Sequence, residues 1–306
     1  MPDIVISEFM DEAAVDRLRE KFDTLYAPGL VDDPSALEQA VRSARALIVR
    51  NRTQVRSPLL DAGVGLEVIG RLGVGLDNID TAICAARGID VIPATGANNV
   101  SVAEYVITAA LVLLRGAWLR SDEVAAGTWP RQAMMGRELG GKVMGLVGYG
   151  AIARETAARA RCMGMTVIAH DPHLSESDPA WDGVRSAALS EVFEQADVLS
   201  LHVPLTAQTR GLVNGERLAQ MKPGSIVVNA ARGGVVDEAA LAAALRAGQS
   251  GGAALDVFDI EPLTADSGAL FEGLNVLLTP HIAGVTEESN VRVSAMIADA
   301  VATRLA

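Results

Sequence analysis

Short apolar runs alternate with stretches of helical periodicity along the whole chain. In the first third, the apolar strands DIVIS, ALIVR, LEVIGRLG and DVIPATG alternate with helical stretches such as AAVDRLREKF and NIDTAICAARG. A second series begins at Val143 and contains six predicted strands, VMGLVGYG, TVIAHD, DVLSLHVP, SIVVNAA, AALDVF and NVLLTPH. Such alternation predicts parallel β-α-β units with helices on both faces of a sheet. The expected fold class is α/β, with two Rossmann-like, doubly wound parallel-sheet domains.

Two longer helices are predicted outside these series. The first lies between the two series, in the segment GANNVSVAEYVITAALVLLRGAW. Ser101 is the expected cap of this helix, which runs to about Arg115. After His281, apolar residues recur at helical spacing from Glu287 to the end of the sequence. If this last helix packs on the N-terminal half, the first domain is discontinuous. The expected domains are then residues 1–99 plus 285–306, and residues 100–284.

Composition narrows the class of protein. Of the 306 residues, 50% are hydrophobic, which is enough for a substantial core in each of two domains. The longest apolar run, from Tyr105 to Leu114, is shorter than the ~20 residues that a membrane-spanning helix needs. The N-terminus turns acidic at once and has no signal-peptide pattern, so we expect a cytoplasmic protein without a membrane partner.

Charge and cysteine content exclude two further kinds of site. The net charge of −12 disfavours a nucleic-acid partner. The only cysteines, Cys84 and Cys162, have no neighbouring cysteine or histidine at metal-ligand spacing, so we expect reduced thiols and no metal. Against the acidic background, Arg50, Arg52 and Arg71 near N-terminal strand ends form a local cluster that could attract a small anion; solvated surface arginines are the alternative.

The segment VMGLVGYGAIAR has the pattern of a dinucleotide-binding loop. Gly148, Gly150 and Ala153 have G-x-G-x-x-A spacing between a strand and a helix that begins near Ala151. A helix N-terminus at this point favours phosphates. Asp171 ends the next strand, 21 residues past Gly150, where a carboxylate can bind ribose hydroxyls and repels a 2′-phosphate. The expected cofactor is therefore NAD rather than NADP.

Three residues after later strands indicate hydride transfer to or from a 2-hydroxy acid. Arg232 follows SIVVNAA and carries a planar fork suited to a carboxylate. His281 follows NVLLTP and is a candidate proton-exchanging group. Glu261 lies in DVFDIEP; if it contacts the imidazole, it fixes the tautomer and raises the pKa of the histidine. Chain order alone does not establish that contact.

At this point the chain resembles the D-isomer-specific 2-hydroxyacid dehydrogenases, the family of phosphoglycerate, glycerate and D-lactate dehydrogenases. GRLGVGLDNID, NNVSVAE, GRELGGKVMGLVGYGAIAR, SLHVPLTAQT, NAARGGVVDE, ALDVFDIEP and LTPHIAG all occur in the family order. The resemblance implies a catalytic Arg232, Glu261 and His281, and a homodimer. It also implies a flavodoxin-like substrate domain formed by residues 1–99 plus 285–306 and an NAD-binding Rossmann domain formed by residues 100–284. The implied NAD contacts are Gly148, Tyr149, Gly150, Ala151, Ile152, Asp171, His202, Pro204, Thr209, Ala230, Ala231, Arg232, Asp256 and Gly284.

The resemblance also implies where a small-molecule substrate binds. The backbone of Val74 and Gly75 is expected to bind its carboxylate, and the loop VRNRTQV is expected to face it. Arg50 resembles the substrate-binding arginine of the phosphoglycerate branch, whereas Arg52 is an addition. Two arginines there predict a second anionic group, as in sulfolactate, 3-phosphoglycerate or a malate-like acid. LIVRNRTQV and EFMDE resemble the sulfolactate dehydrogenase branch.

Three alternatives remain open from the sequence. One is a hydroxypyruvate or glyoxylate reductase, which acts on a monoanionic acid. Another is a formate dehydrogenase, whose site resembles one with glutamine beside the histidine; Glu261 counts against it. The last is an NAD(H)-sensing, corepressor-like binding protein, which would bind NADH without consuming it.

Overall fold

The computed structural model describes residues 2–306. By its internal contacts the chain divides into two compact units. Unit 1 comprises Met1–Asn98 and Val285–Ala306, and unit 2 comprises Asn99–Gly284.

A five-stranded parallel sheet forms the centre of unit 1. Its strands are β1 (Ile4–Ile6), β2 (Thr24–Tyr26), β3 (Ala46–Val49), β4 (Val68–Arg71) and β5 (Asp90–Pro93). They lie in the order β2-β1-β3-β4-β5. Every residue of β1 and β3 is buried, because both faces of these central strands are covered by helices.

A seven-stranded parallel sheet forms the centre of unit 2. Its strands are β6 (Val143–Val147), β7 (Thr166–His170), β8 (Arg185–Ser186), β9 (Val198–Leu201), β10 (Ser225–Asn229), β11 (Ser250–Leu255) and β12 (Val276–Leu278). They lie in the order β12-β11-β10-β9-β6-β7-β8. The strand order reverses beside β6, and such a switch point is where open α/β sheets bind ligands.

Helices cover these sheets and complete two hydrophobic cores in each unit. They are α1 (Glu12–Arg19), α2 (Pro34–Val41), α3 (Leu59–Ala62), α4 (Thr81–Ala86), α5 (Asn99–Arg115), α6 (Ser121–Ala125), α7 (Ala151–Cys162), α8 (Leu189–Gln195), α9 (Gly215–Gln220), α10 (Glu238–Arg246), α11 (Ala265–Gly268) and α12 (Glu287–Leu305). The C-terminal α12 packs on β4 of unit 1. A Cβ atom on Gly70 would lie 2.6 Å from Ile297 and 3.0 Å from Val301, so this close approach requires a glycine.

The α/β fold class and the two parallel sheets confirm the expectation from the sequence, with three corrections. Strands β2 and β8 were not predicted, because these short edge strands have no long apolar run. The prediction that Ser101 caps α5 is wrong. The helix begins at Asn99, and Ser101 lies in its first turn as the first of the buried residues along the helix.

Between residues 2 and 306, no single helix is long and apolar enough to cross a membrane. Asn99–Arg115 and Ala117–Ala125 reach that length and composition only as a pair, bent by 56°.

Candidate active site

The loop between β6 and α7 has a backbone that only glycine fits at its first position. Gly148 has φ of +88°, and a Cβ there would lie 2.5 Å from the carbonyl oxygen of His202. Gly150 precedes α7, and a Cβ on it would meet nothing within 4 Å, so the start of this helix borders open space. Ala153 is fully buried in the helix's contact with the sheet. The open helix start and bare backbone fit a pyrophosphate.

Asp171 joins the end of β7 to this glycine loop. Its Oδ2 accepts a hydrogen bond from the Tyr149 N–H at 2.8 Å, and its Oδ1 accepts one from the His173 N–H at 2.9 Å. A carboxylate has about four lone-pair sites, so it can also accept hydrogen bonds from ribose hydroxyls. Tyr149 itself is 3% exposed and stacks on Trp181, so its side chain belongs to the core rather than to an accessible cofactor surface.

The segment after β10 places Arg232 beside the segment after β11. The Asn229 side chain closes the NAARGG turn, since it accepts from Ala231 N–H and donates to the Arg232 carbonyl. A Cβ on Gly233 would lie 1.7 Å from the Phe258 carbonyl oxygen, so the turn approaches DVFDIEP as closely as a glycine allows. The positive charge of Arg232 acts on Glu261 and lowers its pKa.

Glu261 and His281 form a directed pair. Oε2 of Glu261 lies 2.8 Å from Nδ1 of His281, and its Oε1 accepts the Phe258 N–H at 3.1 Å. Burial raises the pKa of Glu261, but the His281 hydrogen bond and charge, the Phe258 N–H and the Arg232 charge together hold it below its ordinary value. Because an ionised carboxylate only accepts hydrogen bonds, Nδ1 carries the proton and Nε2 is left as the second functional nitrogen.

His281 has a strained backbone that is held in place by Asp256. It has φ of +57°, a left-handed conformation that is uncommon outside glycine. Its N–H donates to the Asp256 carbonyl at 2.8 Å. The carboxylate of Asp256 accepts the N–H groups of Ile282 and Ala283 at 2.8 Å and the hydroxyl of Thr279 at 2.6 Å.

Asp256 is therefore not an accessible side-chain contact for a cofactor. It is 1% exposed, and both of its carboxylate oxygens are engaged by the His281 turn. Tyr105 of α5 supports this arrangement, because its hydroxyl lies 2.6 Å from that of Thr279. Sequence reasoning missed both Tyr105 and Thr279; their hydroxyl groups at that spacing carry no recognisable motif.

The other residues expected to contact NAD also follow strands of the unit 2 sheet. Burial lowers the pKa of His202, after β9, to about 4, so its imidazole is neutral at physiological pH, and Nε2 lies 3.0 Å from Ser200 Oγ. The Pro204 carbonyl accepts the Thr209 hydroxyl at 2.6 Å, which closes the adjoining turn. The remaining positions are Ala151 and Ile152 at the start of α7, Ala230 and Ala231 after β10, and Gly284 after β12.

In unit 1, the residues expected to bind substrate follow strands β3 and β4. The Arg50 guanidinium donates to Asn290 Oδ1 at 2.7 Å and lies 5.7 Å from the centre of the Phe9 ring. Burial lowers its pKa, with the Glu8 charge opposing that effect. Arg52 is exposed and forms an ion pair with Asp32.

The remaining predicted substrate contacts lie on the segment after β4. Arg71 ends that strand, and its Nη1 donates to the Leu72 carbonyl at 3.2 Å. Val74, which is 36% exposed, and Gly75 lie on the loop that follows. Gly73 has φ of +153°, a backbone conformation that residues with a side chain rarely adopt, so this loop also favours a glycine where it leaves the strand.

Comparison with known proteins gives one consistent family. The family model described as D-isomer specific 2-hydroxyacid dehydrogenase, NAD binding domain, matches residues 107–283. An (S)-sulfolactate dehydrogenase from Chromohalobacter salexigens is 55% identical over 98% of this chain and 97% of its own length. A D-3-phosphoglycerate dehydrogenase from Archaeoglobus fulgidus is 38% identical over 97% of this chain, which spans only 56% of that longer protein. A D-lactate dehydrogenase from Aquifex aeolicus, solved with NAD and lactic acid, superposes with a TM-score of 0.83 at 26% identity, covering 99% of this chain and 95% of its own.

Proposed function

Since this chain belongs to the D-isomer-specific 2-hydroxyacid dehydrogenase family, we propose that it interconverts a doubly anionic, D-configured 2-hydroxy acid and its 2-oxo acid, with sulfolactate as the best-supported substrate. The chain is an NAD-dependent oxidoreductase that acts on a CH–OH group. The observation that carries the proposal for its chemistry is the 2.8 Å contact between Glu261 and His281. Arg232, whose charge acts on Glu261, completes the proposed catalytic set.

Proton exchange is the proposed task of His281. With the Nδ1 proton held by Glu261, the neutral imidazole has a basic Nε2. In the oxidation direction Nε2 accepts the hydroxyl proton while the C2 hydrogen leaves as hydride, and in reduction the imidazolium returns that proton to the carbonyl oxygen. NAD, when bound, supplies the hydride acceptor. Glu261 remains ionised and stabilises the imidazolium, which its lowered pKa supports.

Cofactor binding is the proposed task of unit 2, and the geometry of its glycine loop supports that assignment. Gly148 and Gly150 leave room for the pyrophosphate at the start of α7, and Asp171 offers its carboxylate to the ribose hydroxyls. The remaining contacts are proposed at the residues after β9, β10, β11 and β12, with Asp256 acting through the His281 turn. Arg232 binds the substrate carboxylate through its planar fork.

Recognition of a second anion is the proposed task of Arg50 and Arg52 in unit 1. Their shared loop supplies two guanidinium groups, more than a plain lactate or glycolate needs. The backbone of Val74 and Gly75 is proposed to bind the carboxylate common to all substrates. The 55% identity to an (S)-sulfolactate dehydrogenase supports a sulfonate as the second group. A monoanionic hydroxypyruvate or glyoxylate reductase is the competing function.

A substrate panel tests the proposal. NADH oxidation is measured with matched 2-oxo acids, sulfopyruvate against pyruvate and phosphohydroxypyruvate against hydroxypyruvate, with oxaloacetate and glyoxylate included. We expect the highest kcat/KM for sulfopyruvate, and therefore a preference for sulfopyruvate over pyruvate. Equal or better turnover of the monoanionic acids favours the alternative reductase, and tight NADH binding without any turnover favours the corepressor-like alternative.

A homodimer and a cytoplasmic location complete the proposal. The segment after α5 exposes large apolar side chains, with Trp118 60%, Trp129 78% and Met135 82% exposed, which supports a partner covering them. Trp129→Lys should then shift the dimer toward monomer in analytical ultracentrifugation; an unchanged mass would contradict this surface. The net charge of −12 supports a protein that does not bind nucleic acid.

A further inference from the structure

Glu8 is a buried acid just after the first strand of unit 1. It is 5% exposed, and its carboxylate accepts hydrogen bonds from three backbone N–H groups of the loop at residues 50–53. Oε1 accepts from Arg50 at 2.8 Å and from Thr53 at 3.0 Å, and Oε2 accepts from Arg52 at 3.2 Å. Charge-assisted bonds of this kind are roughly twice as strong as neutral ones.

Two carbonyl groups of the same loop are held by a second buried side chain. Asn78, also 5% exposed, donates from Nδ2 to the carbonyls of Arg50 at 3.0 Å and Thr53 at 2.7 Å. The hydroxyls of Ser7 and Thr53 lie 3.0 Å apart. In this segment with neither helix nor strand, buried side chains therefore satisfy five backbone groups, the N–H groups of residues 50, 52 and 53 and the carbonyls of residues 50 and 53, which restrains its conformation.

The loop at residues 50–53 carries two cationic side chains, Arg50 and Arg52. Arg50 is further oriented by Phe9 and by Asn290, whereas Arg52 is exposed beside Asp32. Both side chains start from the same short loop, so a change in the backbone that Glu8 holds displaces the starting points of both guanidinium groups. The fit of two cations to two oxyanion groups depends on that separation.

We propose that Glu8 is a specificity-determining positioning residue, whose buried carboxylate fixes the residue 50–53 loop so that Arg50 and Arg52 together select 2-hydroxy acids with a second anionic group. This inference rests on the proposed role of the two arginines. Glu8 does not touch the substrate; it acts through the backbone that carries them.

Charge and position predict opposite effects when Glu8 is changed to glutamine. Glu8→Gln removes a negative charge next to two arginines, so a purely electrostatic role predicts tighter binding of a dianion. A positioning role predicts weaker binding, because the amide retains one acceptor oxygen and turns its NH₂ group toward N–H donors of the loop. Glu8→Asp keeps the charge and shortens the side chain. An electrostatic role predicts no change from it, whereas a positioning role predicts a loss.

The experiment compares Glu8→Gln, Glu8→Asp and the exposed surface variant Glu12→Gln as a matched control. For each we measure kcat/KM with sulfopyruvate and with pyruvate, the Kd for NADH, and Tm as a check of folding. We expect both Glu8 variants to lose about tenfold in the sulfopyruvate-to-pyruvate ratio of kcat/KM, with Kd for NADH unchanged, since unpairing a buried donor has roughly that effect. Glu12→Gln should match the parent protein. An unchanged or higher ratio in the Glu8 variants overturns the inference.

Arg52→Ala separates failure of the inference from failure of the proposed function. If Arg52→Ala loses the preference for sulfopyruvate and the Glu8 variants keep it, the arginine role stands and the Glu8 role falls. If Arg52→Ala also keeps the preference, the second-anion proposal itself fails and the Glu8 inference fails with it. If Glu8→Gln does not fold, Glu8→Asp decides the question by the same ratio.

Discussion

Replacing Asp256 by asparagine should disable the site without weakening cofactor binding. The carboxylate holds the His281 turn through two N–H groups and one hydroxyl, at 2.6–2.8 Å. An asparagine of the same shape keeps one acceptor oxygen and places an NH₂ group where the other oxygen was. If the oxygen remains with Ile282 and Thr279, the N–H of Ala283 faces a second donor.

The size of this effect follows from the bonds that change. A buried N–H without an acceptor costs about 1–3 kcal/mol, and each remaining bond weakens by about 1 kcal/mol when its acceptor loses its charge. The total of roughly 3–5 kcal/mol exceeds the ~1–3 kcal/mol that a left-handed non-glycine backbone stores, as at His281. We therefore expect the turn to relax and the imidazole to move away from Glu261. A displacement of about 1 Å lowers turnover about 100-fold.

The assay separates this role from a direct contact with the cofactor. For Asp256→Asn we expect kcat to fall about 100-fold, while Kd for NADH, measured by fluorescence titration, stays within about threefold of the parent value. Asp259→Asn is the matched control, because Asp259 lies in the same segment with 58% of its side chain exposed and pairs with Arg210. A weaker NADH complex with kcat preserved would refute the reasoning and make Asp256 a cofactor ligand instead.

Three further predictions concern the charges and glycines of unit 2. Glu261→Gln should lower kcat by about 10- to 100-fold, since it removes the charge that stabilises the imidazolium. Because the pKa of Glu261 is held below its ordinary value, the contribution of its carboxylate to kcat in the parent enzyme should persist as pH falls through the usual carboxyl range and be lost only below that range. A loss of rate in the parent enzyme at a pH above that range, with no such loss in Glu261→Gln, would contradict this. Gly148→Ala should weaken NADH binding at least tenfold and lower Tm, because its Cβ would lie 2.5 Å from the His202 carbonyl, whereas Gly29→Ala, which meets nothing within 4 Å, should change neither. Asp171→Ala should raise the KM for NADH about tenfold and shift the NADH-to-NADPH preference toward NADPH, and an unchanged preference measured with both cofactors would remove Asp171 from cofactor selection.

Much of the fold could be predicted from the sequence because its signals are local. The buried strand β3 is a continuous apolar run, β10 is buried around an apolar centre, and the glycine loop before α7 combines turn, spacing and helix start within one segment. The edge strands β2 and β8 have no such run and were missed. Ser101 looked like a cap because a small polar residue precedes an apolar helix, but it belongs to the buried stripe.

The individual residues of the site could be predicted from their positions after strands, but the contacts between them could not. Arg232, Glu261 and His281 each follow a strand, but the contact between the last two joins residues 20 apart and required the structure. Glu8 illustrates the limit most clearly, because its partners lie more than 40 residues away. Hydrogen bonds to backbone N–H groups depend on the path of the chain and not on the identity of the residues that donate them, so no motif marks them.

The most direct test of the central claim is NAD reduction by the purified protein with each enantiomer of sulfolactate separately. The (S) enantiomer has the spatial arrangement of D-lactate, since sulfur changes the order of naming priority. We predict that it alone is oxidised, with formation of one NADH per sulfopyruvate. Oxidation of the (R) enantiomer, or of neither while D-lactate is turned over, would contradict a D-specific dehydrogenase that selects a second anionic group.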